Sequence, residues 1–192
     1  MLIADIKRQD AKVNAWGVGT KLMTGGTEPA LGGVYKLAAI MEDGRWAPKL
    51  KISDNPEKTT DPGIKMPIRF YDKNGFIVGD VLFTEDDHSW KTGDVISHDR
   101  MVFGQTRVFG KDLERRPLLE FVVQGGKRLA PSPKLADIRK FAQEQIARIP
   151  GETRRLVNPQ IYWVGLSDRL AREKHAAIEA FWREHPAPSG SK

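Results

Sequence analysis

Cysteine is absent from this 192-residue sequence, which excludes disulfide frameworks and cysteine-ligated zinc and fits a reducing compartment. No apolar run approaches the length of a membrane span. The first residues include Asp5, Lys7, Arg8, Gln9 and Asp10, too polar for a signal peptide, so a cytoplasmic location without membrane partners is the expectation. Two nucleotide motifs are missing as well. A dinucleotide fingerprint needs a third glycine where Leu22 stands, and a Walker loop needs a Gly-Lys-Ser/Thr that the chain lacks. Histidine is scarce, with His88, His98, His175 and His185 scattered along the chain. His88 lies beside the carboxylates Asp86 and Asp87, and that stretch reads as a solvated acidic loop rather than a metal site.

What the chain does contain is glycine and proline, 18 and 12 residues, more than a helical bundle would carry and a sign of many turns between strands. Its net charge of +6 is regional. Residues 100–155 hold 13 Lys/Arg against 6 Asp/Glu, whereas residues 1–99 hold 13 against 15. Arg115, Arg116, Lys127, Arg128, Arg139, Lys140, Arg154 and Arg155 make up most of this basic region. Glu114, Glu120 and Glu144 interleave with them, which reads as solvated faces rather than as a binding groove. Trp16, Trp46, Trp90, Trp163 and Trp182 read as core or interface anchors.

Hydrophobic periodicity gives a coarse map. Residues 2–11 predict a short amphipathic helix, Lys12 to Trp16 a brief strand, and Leu31 to Ile40 another strand. Between Trp46 and Phe83 the period is two, in the runs 48–53, 65–71 and 76–83. Asp72-Lys73-Asn74-Gly75 between the last two is a strong hairpin signal. Thr84 to Arg100 predicts a long polar loop, and Pro117 to Gln124 a strand before the turn Gly125-Gly126. Ser132 with Pro133 predicts the start of a helix with Leu135, Ile138, Ala142, Ile146 and Ile149 on one stripe. Ser167 predicts the cap of a second helix that ends at Pro186.

One segment carries a chemical suggestion. In Asn14-Ala15-Trp16-Gly17-Val18-Gly19-Thr20-Lys21-Leu22, two glycines and a hydroxyl form a turn whose backbone N–H groups suit a phosphate, although a ligand-free tight turn explains the spacing equally well. Three further stretches accompany it: Pro29-Ala30-Leu31-Gly32-Gly33-Val34-Tyr35-Lys36-Leu37, the run from Lys51-Ile52-Ser53-Asp54-Asn55-Pro56-Glu57-Lys58 through Thr59-Thr60-Asp61-Pro62-Gly63-Ile64-Lys65, and Asn158-Pro159-Gln160-Ile161-Tyr162-Trp163-Val164-Gly165-Leu166-Ser167. In this order the four motifs resemble the carboxyl-terminal part of nicotinate phosphoribosyltransferases, which join nicotinate to phosphoribosyl diphosphate with ATP hydrolysis in NAD biosynthesis.

The resemblance implies an α+β chain: the end of a type II phosphoribosyltransferase α/β barrel, then a mostly antiparallel β region and two carboxyl-terminal helices. The implied segments are 1–30 with the phosphate loop, 31–130 rich in strands, 131–185 with the helices, and a disordered tail at 186–192. It implies that Gly17, Gly19 and Thr20 hold a phosphate of the phosphoribosyl group. Lys36, Lys51, Lys58 and Lys65 lie in matching motifs, where lysines on alternating strands ordinarily face solvent. No catalytic residue and no metal ligand is expected in this chain, because the family's phosphorylated histidine and its nicotinate-binding arginine and tyrosine lie upstream of the loop. The complete enzyme is expected to use ATP and Mg2+ and to work as a homodimer or with an upstream complementing chain. This chain alone is expected to be an inactive part. A basic nucleic-acid-binding module, or a phosphate-binding module without catalysis, is the alternative, although no nucleic-acid-binding motif is present.

Overall fold

The computed structural model describes residues 2–27, 29–30, 32–53, 55 and 58–185, and the tail expected at 186–192 lies outside them. The chain divides into two compact units, residues 1–35 and 36–192. In the first, the helix expected over 2–11 forms as α1 (Leu2–Arg8) and ends three residues early. The segment Lys12 to Trp16 is not a strand, since the described residues of this unit supply no neighbour to complete its hydrogen-bond ladder. Instead the glycine turn leads into α2 (Thr20–Thr24), closed by Gly25 in the left-handed region at φ 70°.

The second unit is mixed α+β. Its strands are β1 (Ala39–Glu42), β2 (Arg45–Pro48), β3 (Lys65–Tyr71), β4 (Ile77–Thr84), β5 (Val95–Asp99), β6 (Thr106–Phe109), β7 (Glu114–Pro117), β8 (Val123–Gln124), β9 (Lys127–Arg128) and β10 (Val164–Ser167), with α3 (Leu135–Ala147) and α4 (Asp168–Glu184). Hairpins β1–β2 and β8–β9 stand apart from a six-stranded sheet of order β6-β5-β10-β4-β3-β7. The strand expected over 31–40 is confined to its last two residues and continues to Glu42, with Leu31 outside the described residues. The run 48–53 contributes only Pro48, at the end of β2.

The β3–β4 hairpin forms where Asn-Gly predicts it. The Gly75 amide donates to the Asp72 carbonyl at 2.9 Å with Gly75 at φ 81°, and the Asp72 carboxylate accepts from the Asn74 and Phe76 amides at 2.9 and 2.8 Å. The expected loop 84–100 is corrected: it holds a 3-10 turn (Ser89–Lys91) and β5, which lies inside the sheet. β10 inserts between β4 and β5, parallel to β4 and antiparallel to β5, with Leu166 opposite both Leu82 and His98.

Alternation divides the sheet into two packed faces. Ile68, Phe70, Val81, Phe83, Val95 and Phe109 fill one, flanked by Met66, Val78, Trp90, Leu113 and Trp163. Each of these buried side chains contributes about 1.5–3 kcal/mol by its removal from water. The sheet curls over this core: Phe70 on β3 meets Phe109 on β6 at 4.5 Å between ring centroids, although three strands separate them. The other face carries Leu82 and Leu166 against Leu170 and Ala171 of α4. Ser167 caps α4 as expected, its Oγ accepting from the Leu170 amide at 3.2 Å and donating to the buried Asp87 carboxylate at 3.2 Å.

Helix α3 starts two residues later than Pro133 suggests, at Leu135 after Lys134, and the Ser132 hydroxyl accepts from Arg128 rather than capping the helix. The strand expected over 117–124 survives only at its two ends, as Pro117 in β7 and as β8. No described helix is long and apolar enough to cross a membrane.

Candidate functional site

The glycine–threonine turn is an exposed start of a helix. Gly19 is the residue preceding α2, and its carbonyl accepts from the amides of Leu22 and Met23 at 3.0 and 3.3 Å. Among the described residues, the amides of Gly17, Gly19 and Thr20 donate to no partner. Thr20 gives its carbonyl to Thr24 Oγ1 at 2.8 Å, while its own hydroxyl makes no bond among the described residues. A Cβ at Gly17 or Gly19 would meet nothing within 4 Å, so open space surrounds the backbone here. Unpaired N–H groups at a helix start, a free hydroxyl and no steric cover are the groups with which an anion is held.

The 51–65 motif, in the second unit, folds by side-chain bonds rather than as a strand. Thr60 Oγ1 accepts from the Lys51 amide at 2.8 Å, and the Thr60 amide donates to the Lys51 carbonyl at 3.1 Å. Thr59 Oγ1 accepts from the Ser53 amide at 3.2 Å and donates to the Ser53 carbonyl at 3.3 Å. Lys36, Lys51 and Lys58 are exposed. Lys65 is half-buried, its ammonium donating to the carbonyls of Asp61 and Gly63 at 2.7 and 2.6 Å, and burial lowers its pKa from the ordinary lysine value. Its ammonium thus clamps the loop that precedes β3 rather than extending freely into solvent.

Asp61, in the same motif, holds a buried ionic network that its sequence context did not announce. One carboxylate oxygen accepts from Lys174 Nζ of α4 at 2.7 Å, and the other from Arg100 Nε at 2.9 Å. The Asp61 and Lys174 side chains retain only 3% and 7% of their accessible surface. The pair is worth keeping only because both charges are matched; removing one would leave the other buried alone. Beside it Ile52, Ser53, Thr59, Arg100, His175 and Trp182 border a cavity of about 300 Å³.

The remaining candidates have structural partners. Asp86 pairs with Arg169 at 2.8 Å, and Asp87 accepts from Ser167 and from the Ser89 amide, so the carboxylates beside His88 are engaged in the fold. His98 Nε2 faces Asp168 Oδ1 at 3.0 Å. His175 packs on Phe103 at 4.9 Å and is held below its ordinary pKa, chiefly by burial. His185 bonds the Phe181 carbonyl at 3.0 Å. Among the described residues no group of three or more His, Asp or Glu is gathered closely enough to hold a metal ion.

In the basic region Arg115 is not a solvated side chain. It reaches back to the carbonyls of Trp90, Gly93 and Gly110 and lies 5.6 Å over Phe70, tying β7 to the far side of the curled sheet. Trp163 is an anchor, as read from the sequence. Its Nε1 donates to the buried Ser97 hydroxyl at 3.0 Å.

Comparison with known proteins gives the chain its relatives. Residues 64–174 match the family model described as nicotinate phosphoribosyltransferase C-terminal domain. Nicotinate phosphoribosyltransferase of Bacillus subtilis (strain 168) is 36% identical over 171 residues, which cover 86% of this chain and 34% of that protein. The Homo sapiens protein of the same name is 33% identical over 88% of this chain and 30% of its own length. The crystal structure of human nicotinic acid phosphoribosyltransferase superposes with a TM-score of 0.56 at 28% identity, covering 62% of this chain and 24% of that one. The chain therefore spans about a third of the length of the curated relatives it matches. With more than half of its residues inside the family model, the chain belongs to the nicotinate phosphoribosyltransferase family, matching its C-terminal domain.

Proposed function

We propose that this chain is the carboxyl-terminal part of a nicotinate phosphoribosyltransferase that forms nicotinate mononucleotide from nicotinate and phosphoribosyl diphosphate, with ATP hydrolysis, in NAD biosynthesis. The observation that carries the proposal is the match to relatives of that name across 86–88% of the chain. In this reading Gly17, Gly19 and Thr20 bind a phosphate of phosphoribosyl diphosphate through unpaired amides and a free hydroxyl. Holding phosphate in place matters for the chemistry. As the bond to the anomeric carbon breaks, positive charge develops on the ribose and negative charge on the departing diphosphate, and a fixed donor set avoids reorganisation at that moment.

ATP and Mg2+ belong to the complete cytoplasmic enzyme, a homodimer or an assembly with an upstream chain. Since this chain corresponds to about a third of its relatives, it does not turn over by itself.

The site assignment predicts that Thr20→Ala, placed in the reassembled enzyme, raises the KM for phosphoribosyl diphosphate. The expected rise is about 10- to 100-fold, the worth of one hydrogen bond to a charged group. Steady-state kinetics with phosphoribosyl diphosphate varied at saturating nicotinate reads the effect directly. An unchanged KM would remove Thr20 from the site.

A further inference from the structure

The cavity beside the Asp61 network is framed by three segments of the second unit: the 51–65 motif, the turn that follows β5 and the second half of α4. Ile52, Met101, Phe103, Ile178 and Trp182 give it apolar walls, and the Phe103 ring packs on that of His175. At about 300 Å³ it is at the small end of ligand sites and admits a single ring rather than a nucleotide. Aromatic walls favour a flat occupant, which stacks on them or meets them edge-on.

The polar end of the cavity is short of one negative charge. Lys65, Arg100 and Lys174 gather around Asp61. The second carboxylate there, Asp99, accepts from the Met101 and Val102 amides at 2.7 and 2.8 Å. Glu179 of α4 is exposed and does not border the cavity. Three cations thus face two carboxylates, Asp61 and Asp99, and one positive charge in a partly buried place has no counter-ion. Such a charge is costly unless an anion matches it.

Arg100 has the geometry to hold that anion. Its Nε and Nη2 lie 2.9 and 2.6 Å from one Asp61 oxygen, so the Nη1 end of the guanidinium makes no bond among the described residues, and 38% of the side chain is exposed. A planar carboxylate accepts two parallel N–H bonds from such an end. Only one positive charge is uncompensated, which suits a monocarboxylate better than a phosphate group of nearly two charges. Neither ring nitrogen of His175 bonds a described residue. Burial first, and then Lys174 and His98, hold its pKa down, so at pH 7 the ring is mostly neutral and leaves the charge to Arg100.

We propose that this cavity binds a small aromatic carboxylate, its ring against Phe103, His175 and Trp182 and its carboxylate on the free end of Arg100. The site shares no residue with the turn of Gly17, Gly19 and Thr20 and stands independently of the function proposed above.

The test titrates the full 192-residue chain with benzoate and follows by NMR the indole N–H signal of Trp182, assigned with Trp182→Phe. A saturable shift at one benzoate per chain is expected. Benzamide, with the same ring and no charge, is expected to bind about tenfold more weakly or worse, the worth of a hydrogen bond to a charged group. Benzoate is expected to lose a similar factor on Phe103→Ala, which removes an exposed wall, and on Arg100→Gln. Inorganic phosphate at equal concentration is expected to leave benzoate bound.

The proposal is overturned by a Trp182 signal that does not saturate, by equal binding of benzamide, by displacement with equimolar phosphate, or by unchanged affinity in Phe103→Ala. Should Arg100→Gln weaken the fold through Asp61, the comparison of benzoate with benzamide on the wild-type chain still tests the charge.

Discussion

Replacing Asp61 by alanine is expected to destabilise the second unit by about 3–5 kcal/mol, the cost of leaving a buried charge without its partner. Lys174 Nζ would keep only the Arg100 carbonyl at 3.4 Å, inside a site where 7% of the lysine side chain reaches solvent. Arg100 is better placed to recover, because 38% of its side chain is exposed and can turn to water. For a unit of this size the loss corresponds to a fall in Tm on the order of 10 °C.

Lys174→Met should cost less, because Asp61 retains Arg100. The double variant Asp61→Leu with Lys174→Met should recover most of the loss, since a matched apolar pair carries no desolvation penalty. Calorimetric melting of the four proteins forms the cycle. An Asp61→Ala protein that melts with the wild type would show that the network does not bind the 51–65 motif to α4.

Gly165→Ala is expected to be nearly as damaging, at about 3 kcal/mol. A Cβ at this position would overlap Ser97 Oγ and come within 2.7 Å of Trp163 Nε1 and 2.8 Å of the His98 carbonyl oxygen. The last is backbone of the neighbouring strand, so relief requires β10 to move away from β5. Overpacking of this kind costs about 1–3 kcal/mol, and displacing Ser97 also breaks its bond to Trp163, leaving a buried donor unpaired. Ser97→Ala on the same background should restore less than half, because the clash with His98 remains. Urea denaturation followed through tryptophan fluorescence measures both. A midpoint within experimental error of the wild type for Gly165→Ala would contradict the close strand packing.

These two positions also mark where sequence reading stops. The β3–β4 hairpin was legible because its turn residues and its alternation point to the same register. The start of α4 was legible because Ser167 is a good cap, and α3 was legible as a helix. β5 was hidden because one of its inward positions is Ser97, a polar residue made tolerable in the core only by Trp163, which is distant in sequence. β10 was hidden by its length of four residues and by Gly165, which reads as a breaker but is required by the close approach of β5. Nothing adjacent to Lys174 in the sequence marks its role, and only the fold shows that Asp61 lies opposite it.

The candidate site divides in the same way. The glycine–threonine turn was legible as a turn from residue types alone, whereas the structural roles of Lys65 and Arg115 depend on carbonyls that no local pattern reveals. Of the stripe read from the sequence, Leu135, Ile138, Ala142 and Ile146 lie on α3 and are exposed, whereas Ile149 falls beyond its end at Ala147.

The proposed role of this chain is that of the carboxyl-terminal part of a nicotinate phosphoribosyltransferase. Its most direct test is nicotinate mononucleotide formation from labelled nicotinate and phosphoribosyl diphosphate with ATP and Mg2+, assayed for this chain, for the upstream two-thirds of the Bacillus subtilis relative, and for the two combined. Product is expected only from the combination, with Thr20→Ala raising the KM for phosphoribosyl diphosphate. Robust product from this chain alone, or none from an assembled complex of the two, would contradict it.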